Sequence, residues 1–292
     1  MVDIRQSLQY SNYLTSLGWK VERINETNYF IRKFPLIGSV LKIQRPEKTD
    51  FDTIDKLCRK YRVFQVIIEP KDESKTQELA SNGYRLSKSP YLPSKTLQIN
   101  LTQSKEKIYA GFTKDCRYAI RKAASAMRYG EPKGDGGFIK EYSTPNDIRN
   151  WRNAWKKSVK FDRYVPPAEQ LINLRKSFPG NHSLFLASHN IAGSVIGGAL
   201  FTISSHGLSN HISYYWYGFT NKEGRTSLSQ YSLLYQGILW ARKMGCKVFD
   251  FEGVYDERFP NKSWIGFSHF KKSFGGHEVL YPGCYTRFRL PW

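Results

Sequence analysis

The chain has 292 residues, 40% hydrophobic and 15% aromatic, so it can bury substantial cores, and its length exceeds what one core usually holds. Forty-five Lys and Arg against 25 Asp and Glu give a formal net charge of +20, a field that favours polyanions such as RNA, nucleotide pyrophosphates or anionic lipid headgroups. Cys58, Cys116, Cys246 and Cys284 are scattered, with no CxxC pair and no matching His spacing, which argues against a metal site or a disulfide framework. The opening "MVDIRQSLQYSNYL" lacks the apolar core of a signal peptide, so the expected location is the cytoplasm, where the charge permits peripheral contact with an anionic inner leaflet.

In chain order, residues 4–17 read as a helix ended by Gly18, and "WKVERINETNYFIRKF" as two strands around an Asn-Glu-Thr-Asn turn. "GSVLKIQRP" (38–46) is a third strand stopped by Pro46. "DFDTIDKLCRKY" carries an Asp cap and helical spacing at Phe51, Ile54, Leu57 and Cys58, and it feeds the apolar run "RVFQVIIEP" (62–70), a buried strand.

The second half repeats this order. "NHSLFLASHN", "IAGSVIGGALFTISSHG" and "SNHISYYWYGFT" are three strands, "SLSQYSLLYQGILWARKMG" (227–245) is a helix closed by Gly245, and "CKVFDFEGV" (246–254) is another buried strand. The His189-Asn190 interruption makes the apolar region 183–203 two strands rather than a membrane span. The recurrence predicts a duplicated α/β unit.

Between the halves, Lys88 to Lys160 holds sixteen Lys/Arg and six Asp/Glu. "SKEKIYAGFTKDCRYAIRKAASAMRYG" (104–130) reads as one helix with an apolar face at Ile108, Phe112, Cys116, Ala119, Ala123 and Met127. Lys107, Lys114, Arg121 and Arg128 recur every seven residues with Arg117 between two of them, and with few compensating acids the stripe is expected to face RNA. "EPKGDGG" (131–137) reads as an exposed turn.

No GxSxG, HExxH or GxxxxGK[ST] motif occurs. The duplicated pattern fits an acetyltransferase-like fold, but the turn that would cradle a CoA pyrophosphate, "NKEGRTSLSQ" (221–230), has a single glycine. Asp250 and Glu252, two apart on a strand, are expected to share a face at a strand end where ligands bind. In "YYWYGFT", Tyr215 and Tyr217 are expected to alternate to one face.

Three blocks carry a resemblance: "PSKTLQINLTQSKEKIYAGFTKDCRYAIRKA" (93–123), "YYWYGFTNKEGRTSLSQYSLLYQGILWARKMGCKVFDFEGV" (214–254) and "GFSHFKKSFGG" (266–276). Together they resemble the FemAB/FemX-like peptidoglycan bridge aminoacyltransferases. The resemblance spans nearly the whole chain and implies an α/β (α+β) fold of two tandem acetyltransferase-like (GNAT-like) domains. Mixed central sheets would be flanked by helices, without a helical coiled-coil arm. The first domain would take 1–145 plus 277–292, its last strand folding back, and the second 146–276. The implied activity transfers an amino acid from aminoacyl-tRNA to the amine of a peptidoglycan precursor stem peptide, carried on UDP (UDP-MurNAc-peptide) or on lipid II, with no cofactor or metal.

The resemblance assigns Lys271 to the tRNA acceptor end and the oxyanion, while Asp250 and Glu252 are candidates to act on the acceptor amine. It places Tyr215 on the acceptor, and His211 near a position where some relatives use arginine on the pyrophosphate. Tyr217, Tyr255 and Phe270 join the substrate-binding set, and Lys33 and Arg45 are candidates for the remaining phosphate contacts. Lys272 lacks the match. A CoA-dependent N-acyltransferase and a non-catalytic RNA-binding module remain as alternatives.

Overall fold

A computed structural model describes residues 2–129, 137–160, 163–204 and 211–289. After a short 3-10 turn, Ile4–Gln6, the elements run α1 (Leu8–Ser16), β1 (Lys20–Ile24), β2 (Thr27–Phe34), β3 (Gly38–Gln44), α2 (Phe51–Tyr61), β4 (Val63–Glu69), α3 (Thr76–Ser81) and β5 (Arg85–Leu86). Then come β6 (Lys95–Asn100), α4 (Lys105–Ala110), α5 (Lys114–Ala126), β7 (Met127–Tyr129), β8 (Gly137–Tyr142), α6 (Pro145–Ser158) and α7 (Ala168–Ser177). The rest are β9 (Ser183–His189), β10 (Val195–Ser204), β11 (Ile212–Thr220), α8 (Lys222–Thr226), α9 (Ser229–Lys243), β12 (Val248–Gly253), α10 (Ile265–Lys272), β13 (His277–Leu280) and β14 (Tyr285–Phe288). The longest described helix, α9, has 15 residues, too short for a coiled-coil arm. The turn expected over 131–137 lies, except for Gly137, outside the described residues.

The chain divides into two compact units: Met1–Thr96 with Gly253–Ser268 and Glu278–Trp292, and Leu97–Glu252 with His269–His277. Residues 97–145, expected in the first domain, therefore belong with the second unit. Most of β6, together with β7 and β8, is built into its eight-stranded sheet, and α5 packs on α9.

In the first unit the sheet order is β1-β2-β3-β4-β14-β5, the C-terminal strand pairing antiparallel with both β4 and β5. Asn25 and Glu26 turn β1 into β2 with φ of 47° and 63°, the positive values a tight hairpin demands. Asp50 caps α2 by accepting from the Thr53 N–H at 3.0 Å, and the helix lays Ile54 and Leu57 against Ile31, Leu41, Val66 and Ile68. β4 returns parallel to β3 and stays paired along its length, from Ser39 opposite Val63 to Gln44 opposite Glu69.

The second unit repeats the plan. β9, β10 and β11 form an antiparallel meander, α9 follows, and β12 returns parallel to β11. Both faces of the sheet are covered. On one, Trp151 of α6 packs edge-on against Phe185 and Phe219 and donates its indole N–H to the Leu186 carbonyl at 2.9 Å. On the other, α9 lies so close to β10 that a Cβ on Gly237 would stand 2.2 Å from the Phe201 ring. A helix expected over 104–130 is instead two helices followed by β7, broken at Gly111–Thr113. Thr113 restarts the helix, its side chain accepting from the Cys116 N–H at 3.2 Å, while Gly111 lies against Gly275.

Candidate active site

The two parallel pairs differ in one respect that marks a candidate site. In the second unit the pairing runs only Ile212–Val248, Ser213–Phe249 and Tyr214–Asp250, and among the described residues no further rung joins β11 to β12. The strands part at their C-terminal ends, where open α/β sheets admit ligands, whereas their first-unit counterparts remain zipped.

A β-bulge helps to open this end. Leu200 pairs with Tyr217 and Phe201 with Tyr215, leaving Trp216 as the extra residue. The bulge shifts the alternation by one, so Tyr215 and Tyr217 do not share a face as expected. Tyr215 faces α9, where its hydroxyl accepts from Gln230 Nε2 at 2.8 Å, and Tyr217 faces α6, its ring 5.2 Å from Trp155. Burial pushes both phenols above the ordinary tyrosine value, and for Tyr217 the Glu252 carboxylate adds to the shift. Gly218 is compelled by this arrangement, since a Cβ there would lie 1.8 Å from the Tyr215 hydroxyl.

Lys271, near the end of α10, is 8% exposed, and its ammonium lies 5.6 Å from the centroid of the Tyr215 ring. Desolvation pulls its pKa from 10.5 down to about 8, against the opposing pull of the Glu252 and Asp250 carboxylates. Of the phenylalanines near it in sequence, Phe270 meets Tyr231 edge-on with ring centroids 4.8 Å apart and Phe274 stacks on Tyr231 at 5.8 Å, and Phe274 also packs on Phe112 and Phe251. Phe270 thus belongs to an aromatic cluster with Tyr231 and Phe274. Lys272 is exposed.

The carboxylates do not obey simple strand alternation either. Glu252 has φ 60°, a left-handed conformation that L-residues adopt at a cost, and this breaks the pleat. Asp250 holds it there: Oδ1 accepts from the Glu252 N–H at 2.7 Å and Oδ2 from Gln98 Nε2 at 2.8 Å. Asp250 is 2% exposed and acts as a clamp, leaving half-buried Glu252 as the carboxylate set at the strand end. The clamp and the two glutamines, Gln98 and Gln230, are invisible in the sequence, because nothing local marks a side chain that bonds across strands.

Other expected residues are not brought together. His211 precedes β11, with Nδ1 3.0 Å from the Ser204 carbonyl, at the end of the strand opposite Tyr217. In the first unit Lys33 sits exposed opposite Ser39, while Arg45 lies beyond the far end of β3, about 20 Å along the strand at its usual rise. No single pyrophosphate spans them. Arg45 is buried, paired to Asp3 at 2.9 Å, donating to the Pro93 carbonyl and stacked 3.5 Å from the Tyr281 ring centroid, which makes it part of that unit's framework. Tyr255 lines a first-unit cavity of about 380 Å³ with Tyr91, Trp264, Lys88 and Lys262. In that cavity wall Asp256 is engaged by Arg258 at 2.8 Å and by Ser94 at 2.6 Å.

Of the basic stripe, Lys107 lies on α4 and Lys114 and Arg121 on α5, all exposed. Arg117 instead donates to the carbonyls of Ala110 and Phe112, tying off the end of α4. Arg128 falls in β7, and its side chain lies outside the described residues.

No family model and no curated protein matches the sequence. Solved structures do match in fold. A crystal structure of FemX superimposes with a TM-score of 0.78 at 15% identity, covering 98% of this chain and 92% of that one. The chain has the FemX fold. This FemX-like architecture is shared, at greater distance, by a DUF2156 domain assigned as lysylphosphatidylglycerol synthetase from Agrobacterium fabrum (TM-score 0.62, 11% identity, 97% and 88% covered). A tandem GNAT protein from the clavulanic acid pathway also shares it (TM-score 0.52, 9% identity, 90% and 82% covered). Two GNAT-like units in tandem are therefore the architecture of this chain. Among the described residues no helix is long and apolar enough to cross a membrane, and no cluster of metal-ligating side chains occurs.

Proposed function

We propose that the chain is an acyltransferase that moves an amino acid from aminoacyl-tRNA to the amine of a peptidoglycan precursor stem peptide on UDP or a lipid pyrophosphate. The carrying observation is Lys271: an ammonium buried against Tyr215 where two parallel strands part, in the electrostatic reach of Glu252. The motif resemblance over 93–123, 214–254 and 266–276 and the FemX-like fold support the same reading.

Aminolysis of an ester is downhill, so orientation and charge stabilisation are what an enzyme must supply. The acceptor, an ammonium in water, must first become neutral, at a cost of roughly 4–5 kcal/mol at pH 7 for an ordinary lysine-type amine. Its nitrogen then attacks the ester carbonyl carbon, and the carbonyl oxygen becomes an oxyanion facing the Lys271 ammonium. Glu252 takes the proton released by the attacking nitrogen. The bond from carbon to ribose oxygen breaks, that oxygen receives the proton from Glu252, and an amide and a deacylated tRNA leave. Asp250 positions Glu252, and Tyr215 supports the ammonium.

A CoA donor is disfavoured because the expected glycine cradle is folded into α8, where Gly224 packs so tightly that a Cβ would lie 2.2 Å from the Ile196 carbonyl oxygen. The test is incubation with a panel of labelled aminoacyl-tRNAs and with labelled acetyl-CoA, each with UDP-linked and lipid-linked stem peptides. Label passed from tRNA supports the reading. Label passed only from CoA, or from neither, overturns it.

A further inference from the structure

The β2–β3 hairpin carries an apolar tip that the fold leaves in solvent. Phe34 and Gly38 form the last cross-strand pair, and between them stand Pro35, Leu36 and Ile37. Leu36 is 103% exposed, the most of any large apolar side chain among the described residues, with Ile37 at 61% and Phe34 at 42% beside it. Leu36 also has φ 67°, a left-handed conformation that is unfavourable for a side-chain-bearing residue and is usually given to Gly or Asn. A leucine there contributes no buried contact to offset that cost within the folded chain.

The tip is held firmly and set among cations. Gly38, at φ 118°, approaches the α2–β4 turn so closely that a Cβ would meet the Arg62 carbonyl oxygen at 2.4 Å. The Ser39 N–H donates to that same oxygen at 3.0 Å, and the Ser39 hydroxyl to the Tyr61 carbonyl at 2.8 Å. Exposed Arg62 thereby stands beside the tip, exposed Arg59 lies one turn before it with its carbonyl accepting from the Arg62 N–H at 3.4 Å, and exposed Lys33 lies one residue before Phe34, its ammonium 5.7 Å from the Tyr61 ring. Lys60 is balanced by Glu22 at 3.0 Å, but the other three cations leave a basic collar around an apolar prong.

We propose that this hairpin tip is an interfacial anchor that seats the chain on a bilayer containing anionic lipid, with Leu36, Ile37 and Phe34 in the headgroup-acyl boundary and Lys33, Arg59 and Arg62 on the lipid phosphates. RNA would satisfy the collar and could stack a base on Phe34 but offers nothing for the aliphatic Leu36 and Ile37, whereas a bilayer satisfies all of them. The net charge of +20 adds long-range attraction to the same surface. The inference goes beyond the transfer reading and is independent of it, since its test needs neither donor nor acceptor.

The experiment is co-sedimentation of the full chain with vesicles of phosphatidylcholine alone or mixed with phosphatidylglycerol. Binding is expected to the mixed vesicles only. The double variant Leu36→Asp/Ile37→Asp should lower that binding at least about tenfold, the loss of two partly inserted aliphatic side chains, without lowering the melting temperature. Arg59→Glu/Arg62→Glu should weaken binding to the mixed vesicles as well. In the single variant Leu36→Trp the fluorescence should shift to the blue when mixed vesicles are added. Absence of binding, equal binding by the aspartate double variant, an unshifted emission spectrum in the Leu36→Trp variant, or an equal loss of RNA affinity in the aspartate variant would each overturn the proposal.

Discussion

Lys271 holds its ammonium 5.6 Å from the centroid of the Tyr215 ring, and the relationship depends on a bulge in β11, far upstream of the lysine itself. Were β11 to run without the bulge, with Trp216 itself opposite Phe201, strand alternation would turn Tyr215 toward α6 instead of α9. The aromatic surface beneath the lysine would then be lost.

Activity should fall on both sides of a pH optimum. In the proposed role Lys271 faces the oxyanion as an ammonium, and at about 8 it loses its proton as pH rises through that value. Acceptor deprotonation pulls the other way, so kcat should rise, peak near pH 8 and decline. The Lys271→Arg variant, always charged, should lack the alkaline decline in whatever activity it retains; an alkaline limb unchanged in that variant would assign the group elsewhere.

The same lysine should make the protein less stable at neutral pH. Its folded pKa of about 8 lies below the unfolded value near 10.5, so between those values the unfolded chain binds more protons and stability rises with pH. Below pH 8 the full penalty is present, on the order of 3 kcal/mol for such a shift. Lys271→Met should therefore raise the melting temperature at pH 7 and lose that advantage as pH approaches 10.5, as read by melts across the pH series.

Gly275 fixes where α4 and α5 meet. It has φ 69°, and a Cβ would stand 2.3 Å from the Gly111 carbonyl oxygen, backbone that cannot swing aside. Gly275→Ala should cost more than about 2 kcal/mol in urea unfolding, through strain plus overpacking. Gly266→Ala, where the added Cβ meets nothing within 4 Å, serves as the comparison and should change little.

The basic stripe should divide by role. Lys114→Glu/Arg121→Glu should lower RNA affinity and flatten its dependence on salt, because both side chains are exposed on α5. Arg117→Ala should instead lower the melting temperature while leaving the salt slope unchanged, because its guanidinium binds the Ala110 and Phe112 carbonyls. Melting curves and a salt titration of RNA binding separate the two.

Much of the fold was legible because the repeated order of meander, helix and apolar strand is a local signal, and Asp50, Gly18 and Gly245 punctuated it where expected. What the sequence concealed was set by partners distant in the chain. Gly111 reads as a tolerable glycine inside a helix until Gly275 arrives against it, and the run 104–130 then breaks. Tyr215 and Tyr217 alternate on paper, and only the pairing with Leu200 and Phe201 exposes the bulge. Arg45 looks like a phosphate ligand by composition, yet Asp3, far upstream, claims it in the interior. Lys271 was legible through its motif, while its burial and the clamp of Asp250 on Glu252 required the assembled sheet.

The most direct test is single-turnover transfer of a labelled amino acid from tRNA to a stem-peptide precursor by the unaltered chain, Lys271→Met and Lys272→Met. The account predicts transfer by the unaltered chain, a loss of about a hundredfold or more in rate with unchanged precursor affinity for Lys271→Met, and a rate near that of the unaltered chain for Lys272→Met. Equal rates for Lys271→Met and the unaltered chain, or no transfer from any aminoacyl-tRNA, would contradict it.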